Sequence, residues 1–249
     1  MSARPRVLVV AGSDSSGGAG IARDVATLAE CGVPAALAVT AATAQTDRGV
    51  TAVHRVPPDI VAAQIAAALS GGQVRGVKVG MLGTADTVAA VADALRPFAS
   101  QIPVVLDPVL AATSGRALLD DAGQEALIEQ LLPLTALLTP NLVEAAILSG
   151  IAPAADEAAM ALQAEALLAR GPRAVLIKGG HGTGPEAVDL LVRPGEPPLR
   201  LASPRRPGTM RGTGCRLASA IAAGLAHDLP LPEACRAAKA RLDGAFAAR

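Results

Sequence analysis

The amino-acid sequence predicts an α/β fold, a mostly parallel central sheet with helices on both faces, and three observations carry that prediction. Short β-branched runs recur along the chain at Val7–Ala11, Ala36–Thr40, Val74–Val79, Val104–Asp107, Ala136–Thr139 and Ala174–Lys178. Ala-rich segments with helical periodicity lie between them, the alternation expected of β-α units whose strands are covered on both sides. Glycine clusters stand where runs end and helices begin, at Gly12–Gly20 and Gly212–Gly214.

Taken in order, the first run opens into Gly12-Ser13-Asp14-Ser15-Ser16-Gly17-Gly18-Ala19-Gly20, after which Ile21, Val25 and Leu28 repeat at helical spacing. Pro57-Pro58-Asp59 is a helix start, and Ile60, Ile65 and Leu69 are read as that helix's apolar face. Asp156 starts another helix, with Leu162, Leu167 and Leu168 as its apolar residues. Between Gly184 and Thr209 the pattern changes. Val188–Val192 and Leu199–Leu201, separated by Pro194-Gly195 and Pro197-Pro198, predict an antiparallel edge before a final pair of helices. No linker and no fixed-period repeat divides the chain, so a single domain over residues 1–249 is expected.

Composition excludes several functions. Lys+Arg and Asp+Glu both number 22, which leaves no net charge to hold nucleic acid or an acidic membrane. Phe98 and Phe246 are the only aromatic residues besides histidine, too few to stack single-stranded bases. Cys31, Cys215 and Cys235 are odd in number and form no C-x-x-C, which points away from a disulfide framework or zinc knuckle and toward a reducing, cytoplasmic setting. The run Val7–Ala11 is short for a signal sequence, and the uncharged stretch Val33–Thr46 falls below the roughly 20 residues of a membrane helix. A soluble protein with a small-molecule partner is expected.

The chemistry is expected at strand ends and helix starts. The first glycine cluster lacks the Gly-Lys-Ser/Thr of a phosphate-binding P-loop, and Arg23 stands where a dinucleotide fingerprint needs its third glycine. It therefore reads either as a ligand turn or as a tight turn before a helix. The second cluster, Thr209-Met210-Arg211-Gly212-Thr213-Gly214-Cys215, precedes Leu217, Ile221 and Leu225 on one helical face. Its free N–H groups can form an anion hole for a transferring phosphoryl group. The first helical turn should lower the Cys215 thiol pKa, although inert packing is the alternative for a single Cys. Asp107, Asn141, Glu144 and Lys178 lie at strand ends, where carboxylates and a lysine suit magnesium and polyphosphate. Asn141 with Glu144 also spells a helix capping box that needs no ligand. His181 has no neighbouring His or Cys and reads as a loop residue.

The ordered set Ala11–Gly20 with Asp24, Ala44-Gln45, Lys78-Val79-Gly80-Met81-Leu82, Asp107-Pro108-Val109, Thr139-Pro140-Asn141-Leu142-x-Glu144-Ala145, Lys178-Gly179-Gly180-His181 and Gly212-Thr213-Gly214-Cys215 resembles one family over essentially the whole chain. It is that of the hydroxymethylpyrimidine/phosphomethylpyrimidine kinases of the ribokinase-like superfamily. The resemblance implies a ribokinase-like three-layer sandwich, ATP and Mg2+ as cofactors, and phosphorylation of 4-amino-5-hydroxymethyl-2-methylpyrimidine and of its monophosphate in thiamine biosynthesis. It implies that Gln45 bonds the aminopyrimidine edge, with Gly12, Asp24, Met81 and Val109 around the ring. It places Asn141, Glu144, Lys178, Thr209 and Arg211 on the nucleotide, Asp107 and Glu144 at the metal, and Gly212, Thr213, Gly214, Cys215 and Lys178 at the transferring phosphate. A homodimer is implied as well.

The chain departs from the family pattern at Arg211, where His is usual, at Ala112-Thr113-Ser114, where Ala-Lys-Ser is usual, and in a shorter C-terminal end. With Arg205 and Arg206 before it, Arg211 reads as a phosphate clamp, its guanidinium fork suited to that geometry. The nearest rival is a pyridoxal or pyridoxine kinase. Gln45 favours the pyrimidine, because an amide offers the paired donor and acceptor that an aminopyrimidine edge requires. A pyrimidine-binding protein of weak catalytic power is the reading from a different class, supported by Arg211 alone.

Overall fold

The computed structural model describes residues 4–46, 49–112, 115–180, 184–208 and 210–248. His181, Thr209 and the Thr113-Ser114 pair lie outside the described residues. Among the described residues a nine-stranded sheet runs β3-β2-β1-β4-β5-β6-β7-β8-β9. Its strands are β1 (Arg6–Asp14), β2 (Ala35–Thr46), β3 (Gly49–Arg55), β4 (Val74–Val79), β5 (Val104–Leu106), β6 (Leu137–Leu138), β7 (Val175–Lys178), β8 (Glu186–Val192) and β9 (Leu199–Pro204). From β2 through β7 the pairing is parallel. β3, β8 and β9 are antiparallel additions at the two edges.

Strand alternation divides the core in two. Leu8 and Val10 face one apolar layer, shared with helices α2 (Pro58–Ser70), α3 (Ala85–Leu95), α4 (Asp121–Ala126), α5 (Leu142–Ser149) and α6 (Glu157–Leu168). Val7 and Val9 face the other, shared with α1 (Gly20–Glu30), α7 (Thr213–Ala226) and α8 (Leu231–Ala247). With both faces covered, every central strand can be apolar throughout, and Val7 to Val10 are each 0% exposed.

Three sequence expectations change. β3 was not foreseen; none of its residues is buried, so it carries no apolar alternation to reveal it. Ile60 is 49% exposed and Leu162 61% exposed, whereas both were expected on buried helix faces. The faces that pack are Val61, Ile65 and Leu69 on α2, and Met160, Gln163, Ala164 and Leu167 on α6, spaced at the helical i, i+3, i+4 repeat. The run expected over Ala136–Thr139 pairs as a strand only at Leu137–Leu138.

From β1 the chain turns one way to β2, and later strands add on the other side, through β4. Ligands of open α/β sheets settle in the crevice outside such a switch point, at the carboxyl ends of the strands. Both glycine clusters and the N-terminus of α7 lie there.

Candidate active site

The first glycine cluster leaves β1 and enters α1 without a side-chain cap. Gly20 has φ of +58°, and a Cβ there would strike the Gly12 carbonyl oxygen, so the turn closes only with glycine at this point. A Cβ on Gly12 would stand 2.9 Å from Met81 Sδ, which places the strand end and the methionine in van der Waals contact. Asp14 organises the cluster: its Oδ1 accepts from the Ser16 N–H at 2.9 Å and the Ser16 hydroxyl at 2.8 Å, and its Oδ2 accepts from the Ala19 N–H at 2.9 Å. Gln45, half-buried on β2, is tied to the same cluster. Its N–H donates to Ser15 Oγ at 2.8 Å and its carbonyl accepts from that hydroxyl at 3.0 Å. Val109 is half-buried beyond β5, its N–H donating to the Asp107 carbonyl at 2.9 Å.

At the opposite wall, Gly212 begins α7 in the left-handed conformation, φ +70°. The N–H groups of Thr213, Gly214 and Cys215 fall in the first turn, where no carbonyl of the helix can reach them. Below them, Lys178 Nζ donates to Asp107 Oδ1 at 2.6 Å. A Cβ on Gly214 would lie 3.0 Å from Lys178 Nζ and 3.1 Å from Asp107 Oδ2, so the absence of a side chain at 214 leaves the donors of α7 directly over that pair. The Lys178 N–H donates to the Pro140 carbonyl at 2.8 Å, and a bridge between Asn141 and Lys178 brings the start of α5 alongside.

Asn141 and Glu144 form the reciprocal capping box. Asn141 Oδ1 accepts from the Val143 and Glu144 N–H groups at 2.9 Å each, and Glu144 Oε2 accepts from the Asn141 N–H at 2.8 Å. Burial pushes the Glu144 carboxyl up to about 7, opposed by the Lys178 ammonium and reinforced by Asp107. For Lys178, burial alone would lower the pKa, but the Asp107 and Glu144 carboxylates outweigh it and keep the ammonium charged. Among the described residues no cage of three or more His, Cys, Asp or Glu gathers. Two neighbouring carboxylates, one held partly protonated by burial, suit Mg2+, which takes one or two carboxylates and completes its shell with phosphate oxygens and water.

Two expectations for this wall are corrected. Cys215 sits in the first turn of α7 as expected, yet its thiol is not lowered: burial pushes it up to about 11, with Lys78 and the Gly20 N–H only partly offsetting this. The partial charge at a helix start is worth less here than the loss of water around the sulfur. The other expectation is Arg211 as a phosphate clamp with Arg205 and Arg206 before it, and each of the three is engaged by protein groups. Arg205 donates to the carbonyls of Gly180, Gly184 and Glu186, and Arg206 pairs with Asp243 at 3.2 Å. Arg211 reaches the first glycine cluster, donating from Nη1 to Ser16 Oγ at 2.8 Å and from Nη2 to Asp14 Oδ2 at 3.1 Å.

Asp24, expected around the ring, lies beneath the site instead, 0% exposed. It accepts from Lys78 Nζ at 2.9 Å and from Ser219 Oγ at 2.8 Å. Lys78 and Ser219 had no assigned role in the sequence reading. Lys78 between Val77 and Val79 was the available signal, since that part of a strand covered on both faces has nowhere exposed to put it. Gly80 gives it room, because a Cβ there would be 2.7 Å from Lys78 Nζ. Asp189 and Lys239 were also missed. Asp189 accepts from the Gly179 N–H at 3.0 Å and from Lys239 Nζ at 2.8 Å, fixing the strand end that presents Lys178.

The family described as phosphomethylpyrimidine kinase matches residues 14–249. The hydroxymethylpyrimidine/phosphomethylpyrimidine kinase of Rhizobium meliloti (strain 1021) is 52% identical over 242 residues, covering 97% of this chain and 90% of that protein. Among solved structures, the phosphomethylpyrimidine kinase of Clostridium difficile 630 superposes with a TM-score of 0.85 at 35% identity, covering 97% of this chain and 99% of that one. The pyridoxal kinase of Staphylococcus aureus in complex with AMP-PCP and pyridoxal gives a TM-score of 0.88 at 30% identity, covering 98% of this chain and 88% of that one.

Proposed function

Because the chain belongs to the phosphomethylpyrimidine kinase family, we propose that it transfers the γ-phosphoryl group of ATP to 4-amino-5-hydroxymethyl-2-methylpyrimidine and then to the resulting monophosphate, in thiamine biosynthesis. The observation that carries the reading is the convergence under Gly214: first-turn N–H donors of α7, the Lys178 ammonium and the Asp107 carboxylate meet at one point. Mg2+, when bound, neutralises phosphate charge, and Asp107 and Glu144 are the residues that would hold it. A phosphoryl group in flight carries its charge on equatorial oxygens, so fixed donors and a lysine stabilise it more than they stabilise bound ATP.

In this reading Gln45 orients the aminopyrimidine edge, while Gly12, Met81 and Val109 supply the close walls of the ring pocket. Asp24 acts from below, by holding Lys78 and Ser219 under the site. Cys215 adjoins the attacking hydroxyl. A largely dissociative transfer needs little base strength, so a protonated thiol is compatible with positioning that hydroxyl, whose proton passes late to an oxygen of the transferred phosphoryl group. Asn141 presents Glu144 through the capping box. One continuous sheet supports a single kinase domain, and no described helix is long and apolar enough to cross a membrane. A cytoplasmic homodimer completes the proposal.

The test is a coupled ADP-release assay with Mg-ATP and four acceptors: the hydroxymethylpyrimidine, its monophosphate, pyridoxal and pyridoxine. Both pyrimidines should outrun both pyridines in kcat/KM. A higher value for pyridoxal would replace the reading with the vitamin B6 one, and no turnover with any of the four would leave only a binding protein.

A further inference from the structure

Arg211 stands between the two halves of the site. Its guanidinium donates to Ser16 Oγ at 2.8 Å and to Asp14 Oδ2 at 3.1 Å, and the Arg211 and Asp14 side chains are 21% and 4% exposed. The backbones interlock at the same place. A Cβ on Gly18 would lie 3.1 Å from Arg211 Nη1, and a Cβ on Gly212 would run into the Gly18 carbonyl oxygen. The Asp14 carboxylate already accepts three bonds from its own turn, so the arginine completes a set that fixes Asp14, Ser16 and Ala19 together. On the far side of that turn, Ser15 Oγ exchanges two bonds with the Gln45 backbone, at 2.8 and 3.0 Å. A path of hydrogen bonds joined by the Gly212–Arg211 and Asp14–Ser15 peptide links therefore runs from the anion hole through Arg211, Ser16, Asp14 and Ser15 to Gln45.

We propose that Arg211 is a positioning residue that locks the acceptor-side glycine turn to the N-terminus of α7, so that Gln45 and the anion hole hold one fixed spacing. The inference rests on the acceptor role given to Gln45 above. A planar fork with two donors on two different acceptors defines a distance and an angle, which a single neutral donor does not. Transfer between two substrates depends on that kind of spacing, and misplacement by about 1 Å can cost about a hundredfold in rate. On this view the arginine acts mainly on the alcohol, not on ATP.

The experiment is steady-state kinetics on wild type, Arg211→Gln, Ser16→Ala, the double variant and Arg211→Lys, varying hydroxymethylpyrimidine and ATP independently. Arg211→Gln should raise the acceptor KM about tenfold and lower kcat, with the ATP KM held within about twofold. Ser16→Ala should move the same constants less, and the double variant should match Arg211→Gln within about twofold, because both changes cut one path. Arg211→Lys should recover part of the loss. An ATP KM that rises as much as the acceptor KM, or losses that multiply in the double variant, would overturn the proposal. If wild type fails to phosphorylate the pyrimidine, the functional reading falls instead. The lock is then decided by hydrogen exchange at the Gln45 amide: faster exchange in Arg211→Gln supports it, and an unchanged rate refutes it.

Discussion

At Cys215 burial and charge pull in opposite directions: loss of water drives the thiol up to about 11, while the Lys78 ammonium and the Gly20 N–H draw it down. At neutral pH the sulfur therefore keeps its proton in the free protein, and its contribution to transfer is placement of the alcohol. Cys215→Ala should lower kcat about a hundredfold while leaving the ATP KM within about threefold, measured with saturating pyrimidine. An unchanged kcat would remove the thiol from the reaction. Glu144 gives a pH signature in the absence of ligands. Its carboxyl lies near 7 when folded against 4.5 when free, so between those values the folded state binds more protons than the unfolded state. Stability should then fall as pH rises from about 4.5 to 7, by on the order of 3 kcal/mol, and level off above. Urea denaturation of Glu144→Gln should show a flatter profile over that window. A slope equal to that of wild type would place the proton elsewhere.

Elements deliver these side chains, and the start of α7 is the most demanding of them. Gly212 adopts φ +70° and has no room for a Cβ against the Gly18 carbonyl, so strain and collision act together. Gly212→Ala should cost about 2 kcal/mol in urea denaturation and reduce kcat more than tenfold, because relief moves the first-turn donors away from Lys178 and Asp107. Loss of stability with full kcat would separate the turn from the anion hole. This element was legible in the sequence, since Gly212-Thr213-Gly214 ahead of Leu217 and Ile221 spells a glycine entry to an amphipathic helix. The parallel strands were legible for the same local reason. β3 was not, because no face of it is buried, and the apolar faces of α2 and α6 were assigned by residue size when strict spacing would have turned Ile60 and Leu162 outward. What pairs with what stayed hidden. Asp24 and Lys78 are 54 positions apart and Arg211 and Ser16 are 195 apart, and only the folded sheet brings such residues together.

Over the whole molecule, two apolar layers enclose a central sheet, and ions cross into that interior at very few places. The pair formed by Lys78 on β4 and Asp24 on α1 lies deepest, both side chains 0% exposed at 2.9 Å. Burial alone would lower the lysine pKa; Asp24 outweighs it and raises the pKa instead, so the ammonium stays charged between the sheet and the helical layer. Ser219 on α7 adds a bond to the same carboxylate, which ties α1, β4 and α7 at one point under the site. Breaking such a pair leaves an uncompensated charge, and the cost is typically about 3–5 kcal/mol, whereas removing both partners costs far less. Lys78→Met should therefore destabilise the protein by that amount at pH 8. The loss should shrink as pH falls, since an unpartnered buried carboxylate takes up a proton in the folded state. Adding Asp24→Asn should restore most of the stability, because the amide still accepts from Ser219 and carries no charge. Equal instability in the single and double variants would mean that Lys78 contributes by filling space, and the pH dependence of the single variant would then vanish.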